Sequence, residues 1–203
     1  MPIDVDVRER LDQIARATLA VVRSGGSEAV TIRAVARALG GSTTLVTNYL
    51  PSRTALLRNA VRYAYDSWED DLGGALADVA PRERLGAIVD WSCGTEPDDE
   101  ILRQLFIELV GRSGSDHEVA DMMAQDSASQ HEQLAEAAGQ AGAADPAFAA
   151  DVLHLLLRGF YLASIETPDA WTSERVRPVA ARLVELLAAP AEGAAAPPAS
   201  AQP

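Results

Sequence analysis

Apolar residues recur along most of the chain at helical spacing, and almost no window alternates as a strand would. Leu11, Ile14, Ala15, Thr18, Leu19 and Val22 form one stripe of a first helix, which Gly25-Gly26 ends. Thr31 is placed to cap a second helix, with Ile32, Val35, Ala36 and Leu39 inward and Gly40-Gly41 closing it. Ser42 caps a third short helix in which Val46, Tyr49 and Leu50 face inward and Pro51 stops the run. Two short helices joined through glycine make a helix-turn-helix. Ser52 then caps a long fourth helix whose stripe of Leu57, Val61, Ala64 and Trp68 continues to about Leu76.

Further helices are expected from Pro81 to about Cys93, from Asp98 to Arg112 and from Asp116 to about Gln140. Asp145-Pro146 opens another, apolar nearly all round from Phe148 to Leu162, and Thr172 or Ser173 caps a last one. The expected fold is all-α, with about nine helices. Residues 1–52 form an N-terminal three-helix helix-turn-helix domain, and residues 53–189 a larger helical body reached through the long fourth helix. The Ala/Pro-rich tail, residues 190–203, has too little to bury and is expected to be disordered.

The formal net charge of -13 speaks at first against nucleic acid, but its distribution does not. Residues 1–60 carry an excess of three positive charges, whereas residues 61–203 carry an excess of sixteen negative ones. Phosphate attraction is thereby confined to the module that holds the two short helices. Asp4 and Asp6 stand where a secretory signal would be basic, and no apolar stretch approaches the ~20 residues of a membrane helix, so a cytoplasmic protein without membrane partners is expected. Cys93 is the single cysteine, and His117, His131 and His154 lack metal-ligand spacing with it. No metal or other cofactor is expected.

Thr43, Thr44, Thr47 and Asn48 fall on one side of the third helix, opposite Val46, Tyr49 and Leu50. These are mediocre helix formers, and a helix in this position lies in the major groove of DNA. Asn48 has the chemistry to pair with adenine, and threonine methyls to touch the thymine methyl. Thr31, Tyr49 and Arg53 suit phosphate contacts, Arg33 suits either phosphate or base, and Ser42 is a further candidate at DNA.

From Thr31 to Leu57 the sequence resembles the DNA-binding signature of the TetR family of bacterial one-component regulators. The Thr-capped short helix, Gly40-Gly41-Ser42 at the turn, the run Asn48-Tyr49-Leu50-Pro51-Ser52-Arg53 and Ala55-Leu56-Leu57 carry the resemblance over about 27 residues without a gap. Three positions depart from the family pattern. Gly41 replaces an apolar turn residue, Thr47 an aromatic, and Leu50 a Phe, so the operator of no relative can be transferred.

The resemblance implies a homodimeric regulator, most often a repressor, that is released by a small-molecule effector from an inverted-repeat operator in double-stranded DNA. It implies dimerisation through the last two helices, and Leu153, Leu156, Leu157 and Phe160 with Leu183 and Leu187 are the expected interface. Trp91, Phe106, Met122, Met123 and Phe148 are candidates to line an effector cavity among the middle helices, with Glu108, His131 and His154 as candidate polar anchors. The rigid fourth helix would carry a change in the body to the reading module.

An enzyme is disfavoured, since the chain has no nucleophile-base pair at suggestive spacing, no Gly-rich phosphate loop and no metal cluster. A helical adaptor that binds a protein through its acidic body and a regulator that activates are the competing functions.

Overall fold

A computed structural model describes residues 7–94 and 97–188 of the 203-residue chain; the Ala/Pro-rich tail expected at 190–203 lies outside the described residues. Among the described residues the protein is all-helical. Helices α1 (Val7–Gly25), α2 (Ile32–Ala38), α3 (Thr43–Thr47) and α4 (Arg53–Leu76) are followed by α5 (Arg84–Ser92), α6 (Pro97–Val110), α7 (His117–Ala141), α8 (Pro146–Glu166) and α9 (Ser173–Ala188). Single 3-10 turns at Ser27–Ala29 and Pro81–Glu83 precede α2 and α5.

Three hydroxyl caps set the reading module's frame. The Thr31, Ser42 and Ser52 side chains accept hydrogen bonds from the backbone N–H groups of Ala34 (3.1 Å), Leu45 (3.3 Å) and Ala55 (3.1 Å). Each satisfies one donor that the first turn of α2, α3 or α4 leaves without a partner. Gly40 ends α2 with φ +67°, a left-handed conformation that costs a glycine nothing. Four residues, 39–42, separate α2 from α3.

Two apolar cores result. The first gathers Ile14, Leu19 and Val22 of α1, Val35 of α2, Val46 of α3 and Leu56, Leu57 and Val61 of α4, together with Leu105 and Leu109 of α6. The second joins Leu72 of α4 to Leu85 and Ile88 of α5, Leu134 of α7, Leu153, Leu157 and Phe160 of α8, and Val176 of α9. Helix α4 therefore belongs to both. Asn59, buried on α4, fixes α1 to it: its amide donates to the Leu11 carbonyl (2.8 Å) and accepts from Arg62 (3.1 Å).

Helix α8 corrects one sequence expectation. With 21 residues and a mean hydropathy of 1.4 over its most apolar window it is long and apolar enough to cross a membrane. In the fold it packs on α6, α7 and α9 instead, and its Arg158 pairs with Asp126 of α7 at 2.6 Å. Within the protomer 28% of that window is buried, and an apolar stripe of α8 stays in solvent.

Candidate functional site

Helix α3 is only five residues long, and Val46, fully buried, with Leu50 just beyond, seats it in the first core. Tyr49 is half-buried against that core. Thr43, Thr44, Thr47 and Asn48 are exposed, as is Ser42 beside its cap bond. The Thr47 hydroxyl donates to the Thr44 carbonyl (3.4 Å), which leaves its methyl and the acceptor side of its oxygen for outside contacts. Thr31 and Arg33 are exposed at the start of α2. Eight of the nine residues expected at DNA thus lie on or beside α3 or at the start of α2.

Arg53 is the exception. Its guanidinium donates to Glu108 of α6 through two nitrogens, at 2.5 and 3.3 Å, and to the Ser27 carbonyl at 2.7 Å. Glu108 also accepts from Arg112 at 3.2 Å. The hydrogen bond from Arg53 holds the Glu108 carboxyl below the usual carboxylate range, and the same bond raises Arg53. A sequence motif placed Arg53 at the start of α4 correctly, but an ion pair between residues 55 positions apart is a tertiary event.

Behind the module, two adjoining cavities of about 920 and 710 Å³ lie among α4, α5, α6 and α8, with α1 and α9 also bounding the larger and α7 the smaller. Trp68, Trp91, Leu102, Arg103 and Tyr161 line both. Of the residues expected at an effector cavity, Phe106 and Met122 line the smaller and Trp91 lines both. Two other candidates fall elsewhere. Met123 packs against the first core, and Phe148 is 57% exposed at the start of α8, lining neither cavity. Each sits on a helix that also carries lining residues, and the sequence pattern does not tell which side of such a helix meets a cavity.

The cavity walls are aromatic and charged together. The guanidinium of Arg103 lies over the rings of Phe160 and Tyr161 (4.7 and 5.0 Å), and that of Arg158 over Phe106 (4.8 Å). Burial pushes the hydroxyls of Tyr65 and Tyr161 above their ordinary range, so both enter any ligand contact as neutral groups. Asp71, Asp90 and Asp99 line the larger cavity, and Asp66, Glu69 and Asp126 the smaller. Glu108, His131 and His154 line neither, His131 being bonded to Asp151 (2.8 Å) and His154 to Ser127 (3.2 Å).

The expected dimer residues are also redistributed. Leu153, Leu157 and Phe160 are buried within the chain's own second core, and Leu156, Leu183 and Leu187 are half-buried against it. On α8 and α9 the large apolar side chains left in solvent are Phe148, Leu155 (70% exposed) and Leu162 on one stripe of α8, and Val179 and Leu186 (59%) on α9; Val7, Val110 and Trp171 are exposed elsewhere. A helix apolar all round has no face marked for its own core, so the pattern alone does not separate the residues that one protomer buries from those it leaves exposed.

A polar-faced short helix set on a three-helix core, joined by a long helix to a cavity-bearing helical body, is the architecture of helix-turn-helix regulators. Residues 81–189 match the family model of the BetI-type transcriptional repressor C-terminal domain. The chain belongs to the TetR family of transcriptional regulators, and its body is of the BetI type. It is 29% identical over 111 residues to the HTH-type transcriptional regulator BetI of Proteus mirabilis (strain HI4320), a match covering 51% of this chain and about half (54%) of that relative.

Among solved structures, a TetR transcription regulator from Haloarcula marismortui ATCC 43049 superposes with a TM-score of 0.78 at 18% identity, over 89% of this chain and 98% of that one. A putative transcriptional regulator from Saccharomonospora viridis, solved in complex with choline, gives 0.75 at 19% identity over 88% and 96%. A putative TetR-family regulator from Rhodococcus sp. gives 0.74 at 20% over 90% and 100%. These likenesses establish the fold.

Proposed function

We propose that the protein is a cytoplasmic homodimeric repressor that binds an inverted-repeat operator and is released from it by a small-molecule effector. Residues 1–52 read DNA, and residues 53–189 bind the effector and the second protomer. The observation that carries the reading is the exposed face of Thr43, Thr44, Thr47 and Asn48 on a helix otherwise anchored by Val46 and Leu50. In that reading Asn48 pairs with adenine, the threonine methyls meet thymine, and Thr31, Ser42 and Tyr49 touch phosphate. The dimer forms through the apolar stripe of Phe148, Leu155 and Leu162 with Val179 and Leu186, all left in solvent by one protomer.

The effector occupies the cavities behind α4. The larger cavity is lined by Asp71, Asp90 and Asp99 but also by Arg23, Arg103 and Arg177, so its charges do not choose a sign; the indole walls of Trp68 and Trp91 favour a small organic cation, which aromatic faces attract. The regulator of like fold solved with choline is consistent with that chemistry. Because α4 is shared by both cores, a ligand that moves it changes the spacing of the two reading heads. Its leverage is limited to its differential affinity for the two arrangements.

Selection of sites by the purified protein from a random double-stranded DNA pool tests the reading. An inverted repeat with half-sites about one helical turn apart is expected, and Asn48→Ala should blur one position of it. No enrichment at low salt from a folded dimer would refute DNA reading. Choline and tetramethylammonium, added to the operator complex, then test the effector class; release by small organic anions alone would assign the cavity to the opposite charge.

A further inference from the structure

All 17 basic residues of the chain are arginines, and all lie among the described residues. Apart from Arg33 and Arg37, each of them has a partner within the protein: a carboxylate, a carbonyl, an amide, a hydroxyl or a ring. An acidic protein readily supplies such partners, with 30 Asp and Glu available. Yet from Ala29 to Tyr65 the sequence contains no acid at all, and that stretch holds the whole helix-turn-helix.

Arg33 and Arg37 are four residues apart on α2, so they stand on one side of it, one turn above the other. Val35 and Ala36 turn the opposite side into the first core, and both arginines are exposed. Like charges at this spacing repel each other. Nothing within the described protein offsets that repulsion, whereas a line of phosphates would. Helix α2 is the first helix of the motif, the one that crosses the DNA backbone while the second enters the groove. Arg53, the basic residue expected to hold phosphate, is instead committed to Glu108 and the Ser27 carbonyl.

From this we infer that Arg37, together with Arg33, clamps the phosphate backbone beside the groove that α3 enters, and that Arg37 is a positioning residue for DNA binding which the helix-turn-helix motif does not mark. The inference rests on the proposed DNA-binding function. It assigns the electrostatic part of the affinity to the outer side of α2 and leaves base reading to α3. Arg37 carries no sequence information itself, and its loss lowers affinity for every DNA alike.

The test is the salt dependence of binding to the selected operator and to a scrambled duplex, for the wild type, Arg37→Gln, Arg37→Lys and Arg82→Gln. Arg82 is an exposed arginine of the body paired with Glu83 and serves as the control. Each phosphate contact contributes about 0.9 to the slope of log K against log salt, so Arg37→Gln should flatten it by about 1.8 in a dimer. It should weaken operator and scrambled DNA about equally, by about tenfold or more. Arg37→Lys should keep most of the slope, Arg82→Gln should change nothing, and no variant should melt appreciably below the wild type, because both positions are exposed and Arg37→Gln relieves a like-charge pair. An unchanged slope for Arg37→Gln, with the wild type still selecting its operator, overturns the clamp alone. A wild type that binds no DNA overturns the function and the clamp with it.

Discussion

Arg53 at the start of α4 and Glu108 near the end of α6 hold each other across the junction between the reading module and the body, with guanidinium nitrogens 2.5 and 3.3 Å from the two carboxylate oxygens. Both side chains are about a quarter exposed, so solvent screens the pair only in part. The bidentate geometry fixes direction as well as distance. Because α6 lines the cavities through Leu102, Arg103 and Phe106, this pair is a polar link from the cavity wall to the first turn behind α3.

Removing the pair should act on stability before it acts on DNA. Glu108 titrates below its ordinary range in the folded protein, so its contribution is present above the unfolded value of about 4.3 and is lost as pH falls through the folded one. Glu108→Gln should cost about 1–3 kcal/mol at neutral pH and should flatten the stability profile below about pH 4.3, as read by urea unfolding across pH. Arg53→Ala should lower the melting temperature while leaving the salt slope of operator binding intact. A lower slope would mean that Arg53 leaves Glu108 for phosphate when DNA arrives.

The dimer is best probed at Leu155, the most exposed of the large apolar residues of α8. Leu155→Glu should leave the monomer folded, since the side chain is 70% exposed, and should shift sedimentation from dimer to monomer. Operator affinity should fall with it, because two linked heads reach both half-sites through a high effective concentration. Leu153→Glu, by contrast, places a charge in the second core and should unfold the body.

Gly41 offers a stabilising change. Its backbone is not left-handed, and a Cβ there would meet the Leu45 side chain at 3.6 and 3.9 Å, ordinary contact distances. Gly41→Ala should raise stability by about 0.4–1 kcal/mol, chiefly by reducing the freedom of the unfolded chain. A higher urea midpoint with an unchanged m-value is the expected result.

Cys93 should be inert. It is fully buried in the second core, and burial, reinforced by Asp90, pushes its thiol up to about 11. At pH 8 about a thousandth of it is thiolate even before access is considered. Labelling by iodoacetamide should therefore be slow in the native protein and fast in urea, and a fast native reaction would point to opening of the body between α5 and α8.

Much of this molecule is written locally. Thr31, Ser42 and Ser52 each stand three residues before the backbone N–H that they cap, and Gly40 stands where a left-handed residue must. Such signals act within one helical turn, so the sequence by itself determined where the helices of the reading module begin and which face of α3 is polar. Which side of α8 meets its own core, which residues reach the cavity, and that Arg53 prefers Glu108 to solvent were decided by the tertiary structure alone. The reason is physical. A helix that is apolar all round satisfies its pattern in any rotation, and an ion pair between α4 and α6 depends on packing that brings distant turns within 3 Å. Short-range rules fix an element's limits, and only the competition among all the elements for buried surface fixes its orientation.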